Sequence, residues 1–288
     1  MTRIDSIDRA RRGHVFRTWL ARAGVITGAV GALAGCMADA ANTSDDPATS
    51  DDPSGVPPAA DLRAEDLPVT AEVTGGFDVG IIPDMDEECP VGSDEIVIRM
   101  DDEDTTNSSA HSNWVGKTNA GEGVHNTRLY FCRVDGTKFK PFSSIANLGD
   151  EKDDYAVLKL DAACPPGSVE LSRHFDNEDG SNANWFQGNI APNVSAANTT
   201  LYFCAFRAAQ LGDPIIGAFP SFGVGFRYGV FGPDDFDHGA IDKGTIRTDD
   251  EDTTNTNSYT ATAASLMAVQ RIIEPAGTAT VLHVLRAQ

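Results

Sequence analysis

The chain has 288 residues, 41% of them hydrophobic, which excludes wholesale disorder and gives one large domain or two to three small ones. It carries 22 basic against 43 acidic residues, a formal net charge of -21, and such a surface repels polyphosphate, so nucleic acid is not an expected partner. No stretch approaches the roughly 20 apolar residues that span a bilayer as a helix, which excludes an integral helical membrane protein.

Residues 1–35 hold six arginines (Arg3, Arg9, Arg11, Arg12, Arg17, Arg22) and two acids, followed by an uncharged stretch from Ala23 to Gly35. A charged segment followed by a short apolar one is the pattern of an export leader. It ends in Leu33-Ala34-Gly35-Cys36, which resembles the lipobox of bacterial lipoproteins. The resemblance implies cleavage before Cys36, acylation of its thiol and a membrane partner through the lipid. Met37 in place of aspartate implies the outer membrane. Without the leader the chain keeps 16 basic and 41 acidic residues, a net of -25. Residues 36–66 are Ala, Asp, Ser, Thr and Pro, with Thr-Ser-Asp-Asp-Pro at 43–47 and again at 49–53. That composition buries too little apolar surface to fold, so a disordered acidic tether is expected.

Beyond it, three segments of about 75 residues resemble one another: 67–135, 136–209 and 210–288. Cys89-Pro90-Val91-Gly92-Ser93 recurs as Cys164-Pro165-Pro166-Gly167-Ser168. Asp101-Asp102-Glu103-Asp104-Thr105-Thr106-Asn107 recurs as Asp176-Asn177-Glu178-Asp179-Gly180-Ser181-Asn182, and again from Asp249 to Asn255. Asn126-Thr127-Arg128-Leu129-Tyr130-Phe131-Cys132 recurs as Asn198-Thr199-Thr200-Leu201-Tyr202-Phe203-Cys204. In the third segment Asp237 and His283 fall where the two cysteines belong. Because both are missing together, the pairs Cys89 with Cys132 and Cys164 with Cys204 are expected. Each bridge closes a loop of some forty residues, worth about 4 kcal/mol in the chain-entropy model, and needs an oxidising compartment.

Short β-branched and aromatic runs between Gly, Asn and Asp clusters predict an all-β fold of three repeats, two with an internal disulfide. They form either a pseudo-threefold assembly or three small modules in a row. Residues 261–273 space Leu266, Val269 and Ile273 as a helix would and are the one stretch that could be helical, but the matching stretches read as loops, so a loop is the first expectation there. The repeat region resembles exported bacterial repeat proteins, which implies no particular activity.

The recurring acidic motif is the strongest chemical signal. Calcium takes six to eight oxygens from carboxylates, amides, carbonyls and water. The candidate ligands are Asp101, Glu103, Asp104 and Asn107, then Asp176, Glu178, Asp179 and Asn182, then Asp249, Glu251, Asp252 and Asn255. The competing expectation is a set of turns whose Asp and Asn side chains bond their own backbone. Beside each motif stands an aromatic residue, Trp114, Trp185 and Tyr259, either a sugar platform or a core plug of its repeat. Familiar catalytic and nucleotide motifs are lacking, and the mature histidines share no repeat position. The expected function is a lipid-anchored envelope-surface module that binds a glycan or a surface protein, calcium-dependent through its acidic loops. The alternatives are a glycan-acting hydrolase using loop carboxylates and a structural envelope protein without a specific ligand.

Overall fold

Alternation of apolar and polar residues at period two sends one face of each long strand inward. In Asn126–Asp135, Leu129 and Phe131 are buried while Arg128 and Tyr130 keep partial exposure. The computed structural model describes residues 76–287 except 103–106, 121–125, 143–150, 179, 181, 208–215, 237, 239–241, 252–254 and 263–265. The proposed leader, lipidation site and tether lie outside these. Among the described residues the strands join one large antiparallel sheet, as the all-β expectation requires.

Three long strand pairs form its frame. Strand β2 (Glu95–Asp101) pairs with β4 (Asn126–Asp135), β6 (Ser168–Phe175) with β9 (Thr199–Phe206), and β11 (Lys243–Asp249) with β14 (Ala279–Ala287). The registers correspond: Met100 faces Thr127, Phe175 faces Thr199, and Thr248 faces Thr280. Short strands connect one pair to the next. Strand β7 (Trp185–Gln187) adds to β2, β12 (Ser258–Ala261) adds to β6, and β3 (Ala110–Asn113) adds to β11. Each short strand therefore follows one long strand in the chain and pairs with that of another segment, so the exchange closes on itself.

Strands β1 (Asp78–Pro83), β5 (Tyr155–Lys159) and β10 (Tyr228–Phe231) lie against β4, β9 and β14 and also pair with one another. They meet through Gly80 opposite Leu158, Ala156 opposite Phe231, and Gly229 opposite Ile82. Small residues are needed at this crossing. A Cβ on Gly80 would stand 3.1 Å from Leu158 Cβ and 3.2 Å from Phe131 Cβ, and one on Gly229 would stand 3.0 Å from Val284 Cγ1. Two apolar clusters result: Ile96, Ile98, Phe131, Phe203, Ile246 and Leu282 in one, and Val79, Ile81, Val157, Phe206 and Val230 in the other.

Both disulfides join the expected partners, Cys89 to Cys132 and Cys164 to Cys204. The third segment departs from its expected alignment. Glu95 faces Cys132, and the corresponding Lys243 faces Leu285, so Leu285 and not His283 stands at the second cysteine position. Leu285 is fully buried and belongs to the same apolar cluster as Cys132 and Cys204. The second departure is a helix, α1 (Leu266–Ile272), in the stretch where a loop is the first expectation. Its Val269 and Ile272 are buried in the first cluster, so core contact rewards a helical turn here. The short strands β8 (Val194–Ser195), on β9, and β13 (Ile273–Ala276), on β14, complete the sheet.

Candidate functional site

The acidic motifs lie where β2, β6 and β11 end, and the first aspartate of each reaches into another segment. Asp101 Oδ2 accepts the Ala183 N–H at 2.5 Å, Asp176 Oδ2 accepts that of Thr256 at 2.6 Å, and Asp249 Oδ2 accepts that of Ser108 at 2.5 Å. Their own N–H groups donate the same way, Asp101 to Asn184 Oδ1 at 2.7 Å, Asp176 to Asn257 Oδ1 at 2.8 Å, and Asp249 to Ser109 Oγ at 3.0 Å. Backbone bonds add to the set, Glu178 N–H to the Asp101 carbonyl and Glu251 N–H to the Asp176 carbonyl. A carboxylate holding a backbone N–H is a charge-assisted bond. These bonds fasten each segment's strand end to the following loop of another.

The second position of the motif is buried completely in all three segments: Asp102, Asn177 and Asp250. Asp102 Oδ2 accepts hydrogen bonds from Ser109 and Thr127, Asn177 Oδ1 from Asn184, and Asp250 Oδ2 from Asn257 and Thr280. Burial away from water raises the Asp102 carboxyl to about 8, against the bonds from Ser109 and Thr127 and with help from the Asp250 and Asp249 charges. Burial likewise raises Asp250 to about 7, against its bonds from Asn257 and Thr280 and the Arg173 charge.

The closing asparagines make turns. Asn107, Asn182 and Asn255 each accept, through Oδ1 at 2.9 Å, the N–H two residues on, in Ser109, Asn184 and Asn257. Asn182 and Asn255 also donate to the Glu178 and Glu251 carbonyls, both at 2.8 Å. Glu178 Oε1 accepts the Gly180 N–H. Glu103, Asp104, Asp179 and Asp252 lie outside the described residues. Among the described residues no three His, Cys, Asp or Glu side chains form a group able to hold a metal ion.

The three aromatic residues are not brought together at corresponding places. Trp114 packs on β10, with its ring 3.1 Å from where a Cβ on Gly229 would lie, its Nε1–H donated to Asp84 at 3.1 Å, and the Arg286 guanidinium 5.4 Å from its centroid. Trp185 faces Arg99 across β7 and β2, whereas Tyr259 faces Arg173 across β12 and β6, one register step along. Trp185 is 46% exposed and Tyr259 42%, so neither is a core plug.

Residues directly opposite one another in an antiparallel sheet share a face. On the β9, β6 and β12 strands one row is Thr200, His174, Ser258 and the next is Tyr202, Ser172, Thr260. With Tyr259 these six line an open groove of about 370 Å³. His174 Nδ1 lies 3.0 Å from Thr200 Oγ1, so its partner is a hydroxyl and not the nearby Asp176. Of the seven lining residues only Tyr259 stood out as a ligand-binding candidate in the sequence. The signal for the rest is faint, a period-two alternation of Ser172 and His174 on β6 and of Thr200 and Tyr202 on β9.

Comparison with known proteins gives one family match: the family described as Bacterial ApeC matches residues 65–207. The matched span runs from before β1 to the residue after β9 and contains both disulfides, leaving β10 to β14 outside. No curated protein and no solved structure matches the chain.

Proposed function

We propose that this chain is an exported, lipid-anchored module built from three copies of one β unit, and that it binds a neutral glycan in the groove on β6, β9 and β12. The observation that carries the reading is the lining of that groove. Hydroxyls of Ser172, Thr200, Ser258 and Thr260, the His174 imidazole and the Tyr202 and Tyr259 phenols supply donors and acceptors for sugar hydroxyls, with aromatic carbon for an apolar sugar face. The matching strand registers and the closed exchange of short strands support the three-copy reading. Cys36 holds the lipid, residues 36–66 supply the tether, and the outer membrane is the proposed location.

Calcium belongs to this reading through the recurrence of the acidic motif, whose Glu103, Asp104, Asp179 and Asp252 are ligand candidates by sequence. The first aspartate and the closing asparagine of each motif are engaged with backbone. A melting temperature that climbs with calcium concentration supports a native-state site, and an unmoved one at millimolar calcium removes calcium from the account.

The groove is tested by screening the mature chain against neutral oligosaccharides and repeating the titration with Tyr202→Ala and His174→Ala. Retention lost in both variants, with melting unchanged, is the expected result. Full retention in both variants contradicts the reading, and release of shortened sugar during the assay supports the hydrolase alternative.

A further inference from the structure

The face corresponding to that groove on β4, β2 and β7 has different chemistry. Its first row is Arg128, Arg99 and Trp185, and its second is Tyr130, Val97 and Gln187. Two arginines thus stand directly opposite each other on neighbouring strands, an arrangement that like charges make unfavourable. Neither belongs to an ion pair among the described residues. Arg128 Nη1 is 3.3 Å from the Tyr130 hydroxyl, and its Nε is buried without an acceptor. Lys117 adds a third cation, 4.7 Å from the centroid of the Tyr130 ring, and is itself paired with Glu95 at 2.7 Å. Trp185 closes the row as an exposed aromatic.

The other two faces show that the fold does not require this pair. The same two positions hold His174 and Thr200, hydrogen-bonded to each other, on one face, and Arg247 and Val281 on the other. In a chain of net charge -21, a repulsive cation pair without a carboxylate partner among the described residues, with a buried guanidinium N–H still unmet, matches a site whose counter-charge arrives from outside.

We propose that the β4–β2–β7 face is a second binding site, for an anionic saccharide whose carboxylate or phosphate is taken between Arg99 and Arg128 while the apolar face of its ring lies on Trp185. The site shares no residue with the neutral groove, so either can fail without the other.

The test is calorimetric titration of the mature chain with trigalacturonate and with galactotriose, each repeated at higher salt, with inorganic phosphate as competitor. Trigalacturonate is expected to bind roughly tenfold or more tightly than galactotriose, to weaken with salt and to be displaced by phosphate. Arg99→Gln and Arg128→Gln are each expected to weaken trigalacturonate by roughly tenfold or more. Their melting temperatures should hold or rise, because the substitution relieves repulsion, a result that a merely structural arginine would not give. Trp185→Ala weakens the sugar and leaves displacement by phosphate intact. Equal affinity for the two trisaccharides, no heat with either trigalacturonate or phosphate at millimolar concentration, or unchanged binding in the double arginine variant overturns the proposal.

Discussion

Asp102 and Asp250 are completely buried at a position where the second segment carries Asn177. Both carboxyls are raised, to about 8 and about 7, because burial penalises the charged form. A raised carboxyl contributes stability that is complete below its ordinary value of 3.8 and is lost as pH climbs through 7 and 8. The melting temperature is therefore expected to fall from mildly acidic to mildly alkaline pH and then to level off. Asp102→Asn with Asp250→Asn, which copies the second segment, should flatten that fall, and an equally steep fall in the double variant would contradict the burial argument. Asn184 offers a second residue-scale prediction. It accepts the Asp101 N–H and donates to Asn177, Ala196 and Ala197. Asn184→Ala leaves those groups unmet and should cost roughly 2–3 kcal/mol in a denaturant titration. The sequence displays these residues as a recurring heptad but not their role, because the partners lie far off in the chain: Asp101 is held by Ala183 and Asn184. The aromatic residues fail to align for a related reason. Asn113-Trp114 looks like Asn184-Trp185 by identity, yet Ser109 is the residue that plays the part of Asn184, one reaching Asp249 N–H and the other Asp101 N–H.

At the scale of elements, the crossing of β1, β5 and β10 depends on Gly80, Ala156 and Gly229. Gly80→Val would press branched carbons against Leu158 and Phe131, whose Cβ atoms already lie 3.1 and 3.2 Å from the position of a Cβ. A loss of about 1–3 kcal/mol in chemical unfolding is expected, larger than for the same substitution at Gly92, which has open space around it but a positive φ. The strand pairs and disulfides were legible because runs such as Leu129-Tyr130-Phe131-Cys132 carry period-two alternation and matched cysteines. The short strands were not. Ala110–Asn113 and Ser258–Ala261 are four residues each and mostly exposed, so no local pattern marks them; long-range pairing alone makes them strands. The helix at Leu266–Ile272 carries its own spacing signal, which similarity to the other two segments masks.

At the scale of the molecule, the exchange of β3, β7 and β12 makes each segment a partner of the other two. The family match ends at residue 207, but the strands within it do not end their pairing there. β1 pairs with β10, β3 with β11, and β6 with β12. A chain stopped after residue 207 is therefore expected not to fold, visible as loss of dispersed amide resonances, even with both disulfides available. This interlocking also explains how one scaffold carries faces of different chemistry. The shared register fixes where side chains stand, and Arg99, His174 and Arg247 at corresponding positions give each face its own chemistry. The most direct test of that interlocking is scanning calorimetry on the oxidised chain. Three mutually dependent segments predict one transition whose calorimetric and van't Hoff enthalpies agree, and two or more resolved transitions would show three modules in a row instead.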